Sequence, residues 1–436
     1  MAAAYRLFSG ALVRIHSANN GKFQLDMVKS GRRCRRSAVV VLVALVTASS
    51  AGCAGDSGAP AAHSSPQVIR VPEDAKTIQQ GLDAAQSGDL VLVGPGEYHE
   101  SVTLTKPQVV LRGVDRNSVV VDGDFAKVNG ITVTGAQSVV ENLTVRRFLA
   151  NGVLFTGVTD QKLQGPGAGG AHYDPLDPQR FPPLQGFRAS FVTAYNNALY
   201  GIYSFDARDG VIEDSYASGQ ADSGIYVGQC RPCNTVVRDN LVEHNAVGIE
   251  VTNASENLWF LGNRVVRNRV GMTVNSNDFE SLAPQHGAVL AGNTIADNND
   301  PHSPAQADGG FGIGIGIGGG SANTVVRNLV EGNTAAGIIV SDVQGYAADG
   351  NTVTDSLVTG NGADLVLTAA GKANQLGGQP GTAPAAVTAP PGADFRGLPQ
   401  PPAQPRLPGG PDAPQRAATG LPGQVDPDGY PLPAAR

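Results

Sequence analysis

The sequence predicts an all-β chain folded as a single-stranded, right-handed parallel β-helix with an N-terminal capping helix. Three observations predict it. Short G-apolar-x-apolar segments begin at Gly201, Gly224, Gly248 and Gly271, spaced by 23, 24 and 23 residues, and recur at Gly312 and Gly337. A fixed period in this range signals a solenoid. Between successive members a second strand recurs around Asn240, Asn263, Asn293 and Asn328, so each period holds short strands and Asn/Gly turns. Finally, 56 Gly and 29 Pro punctuate a chain whose Val, Ile, Thr and Asn alternate without long helical periodicity.

Taken from the N-terminus, the first recognisable segment is a leader. Basic Lys29–Arg36 precedes the apolar run Ala38–Val46, and small residues continue up to Ser50-Ala51-Gly52-Cys53. The apolar run is too short to span a bilayer, and this order is that of an export signal. The terminal S-A-G-C resembles a bacterial lipobox, although Ser50 stands where Leu is usual; Cys53 is then the residue to be lipidated, and plain secretion is the alternative. Because export signals start near their basic region, Met27 is a better start than Met1. Residues 1–53 are therefore read as leader, 54–65 as linker, 66–371 as the β-helix and 372–436 as a Pro/Gly/Ala-rich tail. That tail lacks apolar periodicity and is expected to be disordered. The protein is expected outside the cell, held on the outer face of the membrane by its lipid alone or secreted, and as a monomer.

In the solenoid, Ile202, Ile225, Ile249, Met272, Ile313 and Ile338 should point inward and stack, coil on coil, at a rise of about 4.8 Å. Turn residues such as Asn245 and Asn268 should stack likewise and share amide hydrogen bonds. At the start, Thr77–Ala85 places Ile78, Leu82 and Ala85 on one helical face able to plug the open first coil.

The stretch Val71–Glu100 resembles the N-terminal cap of the pectin-lyase-like right-handed β-helix proteins, and the likeness continues through Leu104–Gly113. The resemblance implies the fold and an acidic-polysaccharide partner, since that superfamily includes pectate and pectin lyases, pectin methylesterases, polygalacturonases, uronate epimerases and phage depolymerases. It also includes a periplasmic protein supporting copper-enzyme maturation. No cofactor is expected from the residues, while the resemblance admits Ca2+. Gly96–Glu100 is similar to the start of a methylesterase without that family's later motifs. Asp300-Pro301-His302 resembles a uronate-epimerase motif but sits in a Pro-rich insertion. Fold does not choose among these activities.

Side chains alternate along a strand, so the residue after each inward apolar one should face solvent. That column reads Tyr203, Tyr226, Glu250, Thr273, and a second, at the strand ends, reads Asp206, Gln229, Asn253, Ser276. Tyr203, Tyr226, Gln229, Glu250 and Asn253 are accordingly the expected sugar-binding ridge, walled by the insertions Gly169–Arg180, Asp278–His286 and Asp300–Gly309. Acid–base chemistry on a uronate needs carboxylates and a cation; Asp206, Asp209, Asp222 and Arg208 are the candidates. Turn preference explains the same aspartates, and an aromatic ladder explains the tyrosines.

Cys230 and Cys233 form a C-x-x-C after a strand, not at a helix N-terminus, and no second cysteine pair supplies a zinc site. In an exported protein a disulfide is the default, with free thiols, a redox role and copper binding as alternatives; His244 is the nearest further ligand. Phe311–Gly320 contains G-x-G-x-x-G, but the next element along the chain is another coil rather than a helix, so no nucleotide site is expected. At net charge −7 with 16% charged residues, no basic face for nucleic acid is implied. The chain is thus expected to bind or modify an acidic polysaccharide, as lyase, epimerase or hydrolase if an enzyme. The rival expectation is a non-catalytic structural or copper-handling envelope module.

Overall fold

Each turn of the chain lays down three short strands, and successive turns pair in parallel to give three sheets of 12, 10 and 10 strands. In this computed structural model the described residues are 65–164, 178–278, 280–306, 310–381, 387–416 and 425–435. Sheet 1 runs from Val68–Val71 to Gln375–Leu376, sheet 2 from Gly96–Tyr98 to Leu357–Thr359, and sheet 3 from Val102–Leu104 to Leu365–Leu367. The fold is a right-handed parallel β-helix. Residues 1–64, including the leader and Cys53, lie outside the described residues; among the described residues no helix is long and apolar enough to cross a membrane.

The inward stack forms as the period requires. Ile202, Ile225, Ile249 and Met272 are direct partners on neighbouring strands, all with no exposed surface. The next member is Ile315, not the expected Ile313: Met272 pairs with Ile315, and Ile315 with Ile338. Gly312, at φ +75°, still belongs to the turn, so the repeat begins at Gly314 and the spacing to Gly337 becomes 23 residues. Each such buried Ile contributes roughly 2 kcal/mol.

Polar corners are held by amide ladders. Asn245, Asn268, Asn298, Asn333 and Asn361 form one, each side-chain Nδ2 donating to the next Oδ1 at 2.9–3.2 Å. Each Oδ1 also accepts the backbone N–H of the preceding rung. Asn240, Asn263, Asn293 and Asn328 form a second. These buried amides satisfy turn backbone that the sheets leave unpaired, which buried polar groups require.

The N-terminal end is closed by the helix Ile78–Ala84, capped by Thr77 and by Glu100, whose carboxylate accepts from the Ile78 and Gln79 N–H groups. Ile78 and Leu82 are buried on its inner face. At the other end the solenoid continues to Leu376, past the expected boundary at residue 371, because Gln375–Leu376 pairs with Thr352–Val353.

The tail also departs from expectation. Its described residues lie along the solenoid instead of lacking structure. Arg112 donates to the carbonyls of Ala413 and Pro414, Arg116 to Pro405, and Asn196 to Leu398. Leu407 is buried, its N–H bonded to Asn142. Composition misleads here because much of the ordering comes from solenoid side chains that donate to tail carbonyls, joined by a few tail side chains such as Leu407 and Arg416. A proline-rich strand, stiff before it docks, also loses little entropy.

Candidate functional site

The expected ridge exists as an array but not as a surface. Tyr203 pairs with Tyr226 and Tyr226 with Glu250 across sheet 3, all pointing away from the main core. They are then covered. Tyr203 is 9% and Tyr226 1% exposed, packed with Leu154, Val158, Phe181 and Phe205 in a second apolar cluster. Ring centroids of Tyr203 and Tyr226 lie 4.9 Å apart, edge to face, and Tyr200 caps both. Tyr226 donates to the Glu280 carboxylate at 2.5 Å. Burial lifts that carboxyl to about 7, against the pull of the Tyr226 bond. Gln306 bridges Asp222, at 2.6 Å, and Glu250, which also receives the Ser223 hydroxyl. Gln229 and Asn253 are buried corner residues with φ near +50°. Described parts of two of the insertions meant to wall a groove, Glu280 and Gln306, close over it instead, and among the described residues a cavity of about 60 Å3 remains beside Tyr200 and Tyr203. Of the third insertion, residues 169–177 lie outside the described residues.

The expected carboxylate cluster does not assemble. Asp206 stacks on Gln229 at the C-terminal end of the sheet 3 strands, whereas Asp222 precedes the strand Ser223–Gly228. Seven residues of extended chain separate those two levels, about 20 Å. Asp209 accepts from Asn234 and Arg208 donates to Gln185. Asp206 is buried with no hydrogen-bond partner for its Oδ2 among the described residues, and burial raises it to about 7 despite Arg208. These acids therefore make no cation site that would suit Ca2+. Among the described residues no group of three or more His, Cys, Asp or Glu side chains is arranged to hold a metal.

Cys230 and Cys233 are joined by a disulfide, both buried. The Cys233 carbonyl accepts from Asp209 and its N–H donates to Ser255, tying the turn to the coils on either side. A bridged pair offers no thiolate to copper.

Open space lies elsewhere, in a cleft of about 750 Å3 between the edge of sheet 2 and tail residues 397–402. Its floor is a column of corner residues from five successive coils: Asn196, Gly219, His244, Arg267 and Asp297. All five have φ between 54° and 68°. In that left-handed turn the side chain leaves the solenoid, and the next residue turns inward as an amide ladder rung: Asn197, Gln220, Asn245, Asn268, Asn298. The cleft's polar groups are coupled. Tyr216 donates to Glu243 at 2.8 Å, and Arg267 pairs with the same carboxylate. His244 Nδ1 lies 2.7 Å and His302 Nδ1 3.3 Å from opposite oxygens of Asp300. Burial would raise Asp300, but the bonds from His244 and from the His302 N–H outweigh it and hold the carboxyl below its ordinary range. Burial, reinforced by Glu243, pushes the Tyr216 hydroxyl up.

Of these residues, sequence reasoning singled out only His244 and the Asp300-Pro301-His302 motif, and neither for this role. A signal was present: each floor residue immediately precedes an inward amide of the repeat.

Residues 129–283 match the family model described as right handed beta helix region. No curated protein matches the chain in sequence. Among solved structures, the chain is similar to the enzymatically active domain of bacteriophage CBA120 tailspike protein 2, at 12% identity and TM-score 0.43, over 65% of this chain and 39% of that one. The chain thus spans well under half of that tailspike domain. It is similar to the mannuronan C-5 epimerase A-module of Azotobacter vinelandii at 12% identity and TM-score 0.45, covering 69% and 95% of the two chains. It is also similar to pectate lyase Pel9A at 16% identity and TM-score 0.39, covering 72% and 79%.

Proposed function

We propose that this protein binds a polysaccharide chain in the cleft between sheet 2 and the C-terminal strand. One observation carries the reading: five outward corner residues on successive coils line an open cleft of about 750 Å3, beside a phenol, a second imidazole and further carboxylates. Coils rise by about 4.8 Å, close to one sugar residue of a linear chain, so each coil can address one residue. Amide, imidazole, guanidinium and carboxylate groups at that repeat are what hydroxyl-bearing rings need. The ridge over Tyr203 and Tyr226 is set aside because the chain's own loops fill it.

The His244–Asp300 hydrogen bond supports a second reading, in which the site also transfers protons: an imidazole oriented by a carboxylate is a general base in waiting. One experiment addresses both. Calorimetric titration with a panel of oligosaccharides should find a ligand, and Arg267→Ala and His302→Ala should each weaken it by about tenfold. Analysis of the same mixtures for new reducing ends or unsaturated products reads the chemistry. Binding unchanged in both variants sinks the cleft as the site.

Export and lipid anchoring through Cys53 belong to the same proposal, supported by the basic, apolar and small-residue order of residues 29–53. Labelled fatty acid should enter the wild-type chain and not Cys53→Ala.

A further inference from the structure

We infer that the cleft is closed at one end and therefore takes the terminus of a polysaccharide chain, not a stretch of its interior. This rests on the cleft being the glycan site.

The closed end is built by the tail. Its strand starts on the side where the chain leaves sheet 2: the Ala393 N–H donates to Ser303, and the Phe395 ring meets Phe125 edge to face at 5.8 Å. By Gln404 it is bound to Asn117, which precedes the sheet 2 strand Val119–Asp122. Between these anchors the tail must cross the outer face of sheet 2. It comes down onto the floor as it does so. The Leu398 carbonyl accepts from Asn196 at 2.9 Å, and its side chain rests on Gly219, where a β-carbon would come within 3.2 Å of Leu398 Cδ1. The corner column itself does not stop there. One coil before Asn196 the same position holds Arg147, at φ 59° and with its side chain 33% exposed. Yet among the described residues the lining of the cleft ends at Asn196. The crossing strand, not the solenoid, sets that boundary.

The opposite end is left clear by small residues. Beyond Asp297 the column continues as Gly332 and Gly360, because Ala296 pairs with Glu331 and Glu331 with Thr359. Both take the left-handed turn, at φ 69° and 67°. His244 and Arg267 hold the same turn inside the cleft, so the turn alone does not demand glycine; what glycine removes is bulk. A β-carbon on Gly360 would meet no heavy atom within 4 Å among the described residues. Bare backbone of this kind lets a ligand lie close. The floor from Asn196 to Asp297 spans four coil rises, roughly 19 Å or about four sugar residues. Further sugars leave over the glycine corners, whereas a sugar preceding the one at Leu398 would have to pass through the strand. A wall that admits only a terminus is selection by exclusion.

The test uses the full chain and three linear series, of galacturonate, mannuronate and xylose. Within each, titration calorimetry compares an oligomer of about twelve residues with a polymer of about sixty, both longer than the floor. Bound protein should follow the number of chains, about one per chain at either length, whereas interior binding would load the longer chain severalfold more. A bulky fluorophore on one terminus of the shorter oligomer should weaken binding at least about tenfold, and on the other terminus leave it unchanged. Loading in proportion to chain mass, or indifference to a label at either terminus, overturns the closed end while keeping the cleft as a glycan site. Failure of all three series to bind overturns the cleft reading itself.

Discussion

Asn268→Ala should be among the most damaging single substitutions in the solenoid. Asn268 has no exposed surface. Its Oδ1 accepts from the Asn245 backbone N–H at 3.1 Å and from Asn245 Nδ2 at 2.9 Å. Its Nδ2 donates to Val242 O, Val266 O and Asn298 Oδ1 at 2.9, 3.3 and 3.0 Å. Alanine removes all five. The Asn245 side chain keeps bonds to the Ala217 and Glu243 carbonyls, but its backbone N–H is left buried and unpaired. An orphaned buried N–H costs about 1–3 kcal/mol, and each net hydrogen bond lost about 1 kcal/mol. Some of the freed carbonyls also serve the sheets, so the total is about 3–4 kcal/mol, a large share of a typical domain's stability. The same change at Asn361 is the control. It ends the ladder in a partly exposed position, where water can replace the amide, so about 1 kcal/mol is expected. Urea unfolding followed by circular dichroism compares the two, each against wild type, because coil stabilities in a solenoid add locally. If Asn268→Ala costs no more than Asn361→Ala, the ladder is not what holds the corner.

Burial raises the Asp206 carboxyl from 3.8 to about 7, so the folded state favours its protonated form: that stability is complete below 3.8 and lost as pH rises through 7. Up to about 4 kcal/mol is at stake, and Asp206→Asn should flatten the decline and raise the melting temperature at pH above 7. Ending the chain at residue 416 removes Val425 and Tyr430, which share an apolar patch with Trp259, the only tryptophan. Emission should shift to the red with glycan binding retained, whereas ending the chain at residue 386 should also abolish binding, since residues 397–402 wall the cleft. Tyr226→Phe deletes the hydroxyl bonded to Glu280 and should leave binding unchanged while loosening the 280–306 segment, read as faster proteolysis; reduced glycan affinity would return the site to sheet 3.

The fold was readable because a solenoid repeats its physical requirements. One inward Ile per coil and one inward amide per corner recur at a near-constant interval, and each recurrence corroborates the last. The single register error came where the repeat is degenerate: in Phe311–Gly320, alternate Gly and Ile allow two alignments two residues apart, and only pairing with Met272 chooses Ile315. The ridge over Tyr203 was misjudged for a different reason. Alternation states correctly that Tyr203, Tyr226 and Glu250 point away from the core, but pointing outward is not exposure. Whether Phe181, Glu280 and Gln306 fold back over the face depends on long insertions that carry no period.

The cleft was hidden by its construction. Its floor residues share a position in the coil but no chemistry: Asn196, Gly219, His244, Arg267 and Asp297 have in common only the left-handed turn they occupy. Asn, Asp and Gly adopt that turn readily. His244 and Arg267 hold it less comfortably, at a cost of about 1 kcal/mol each, so their presence there is not explained by the turn. The opposite wall comes from residues 100 or more positions later in the chain and is anchored in large part by backbone carbonyls, to which any residue type contributes alike. Composition registers apolar side chains, and this segment docks with few of them, Leu407, Val425 and Tyr430 among them. What orders the tail is the set of arginine and asparagine donors waiting on the solenoid, Arg112, Arg116 and Asn196 among them. Replacing tail prolines with alanine should therefore loosen the strap by raising the entropy of the free strand, whereas exchanging its exposed side chains should change little; sensitivity to the exposed side chains instead would mean that the wall is recognised by sequence and not by its backbone.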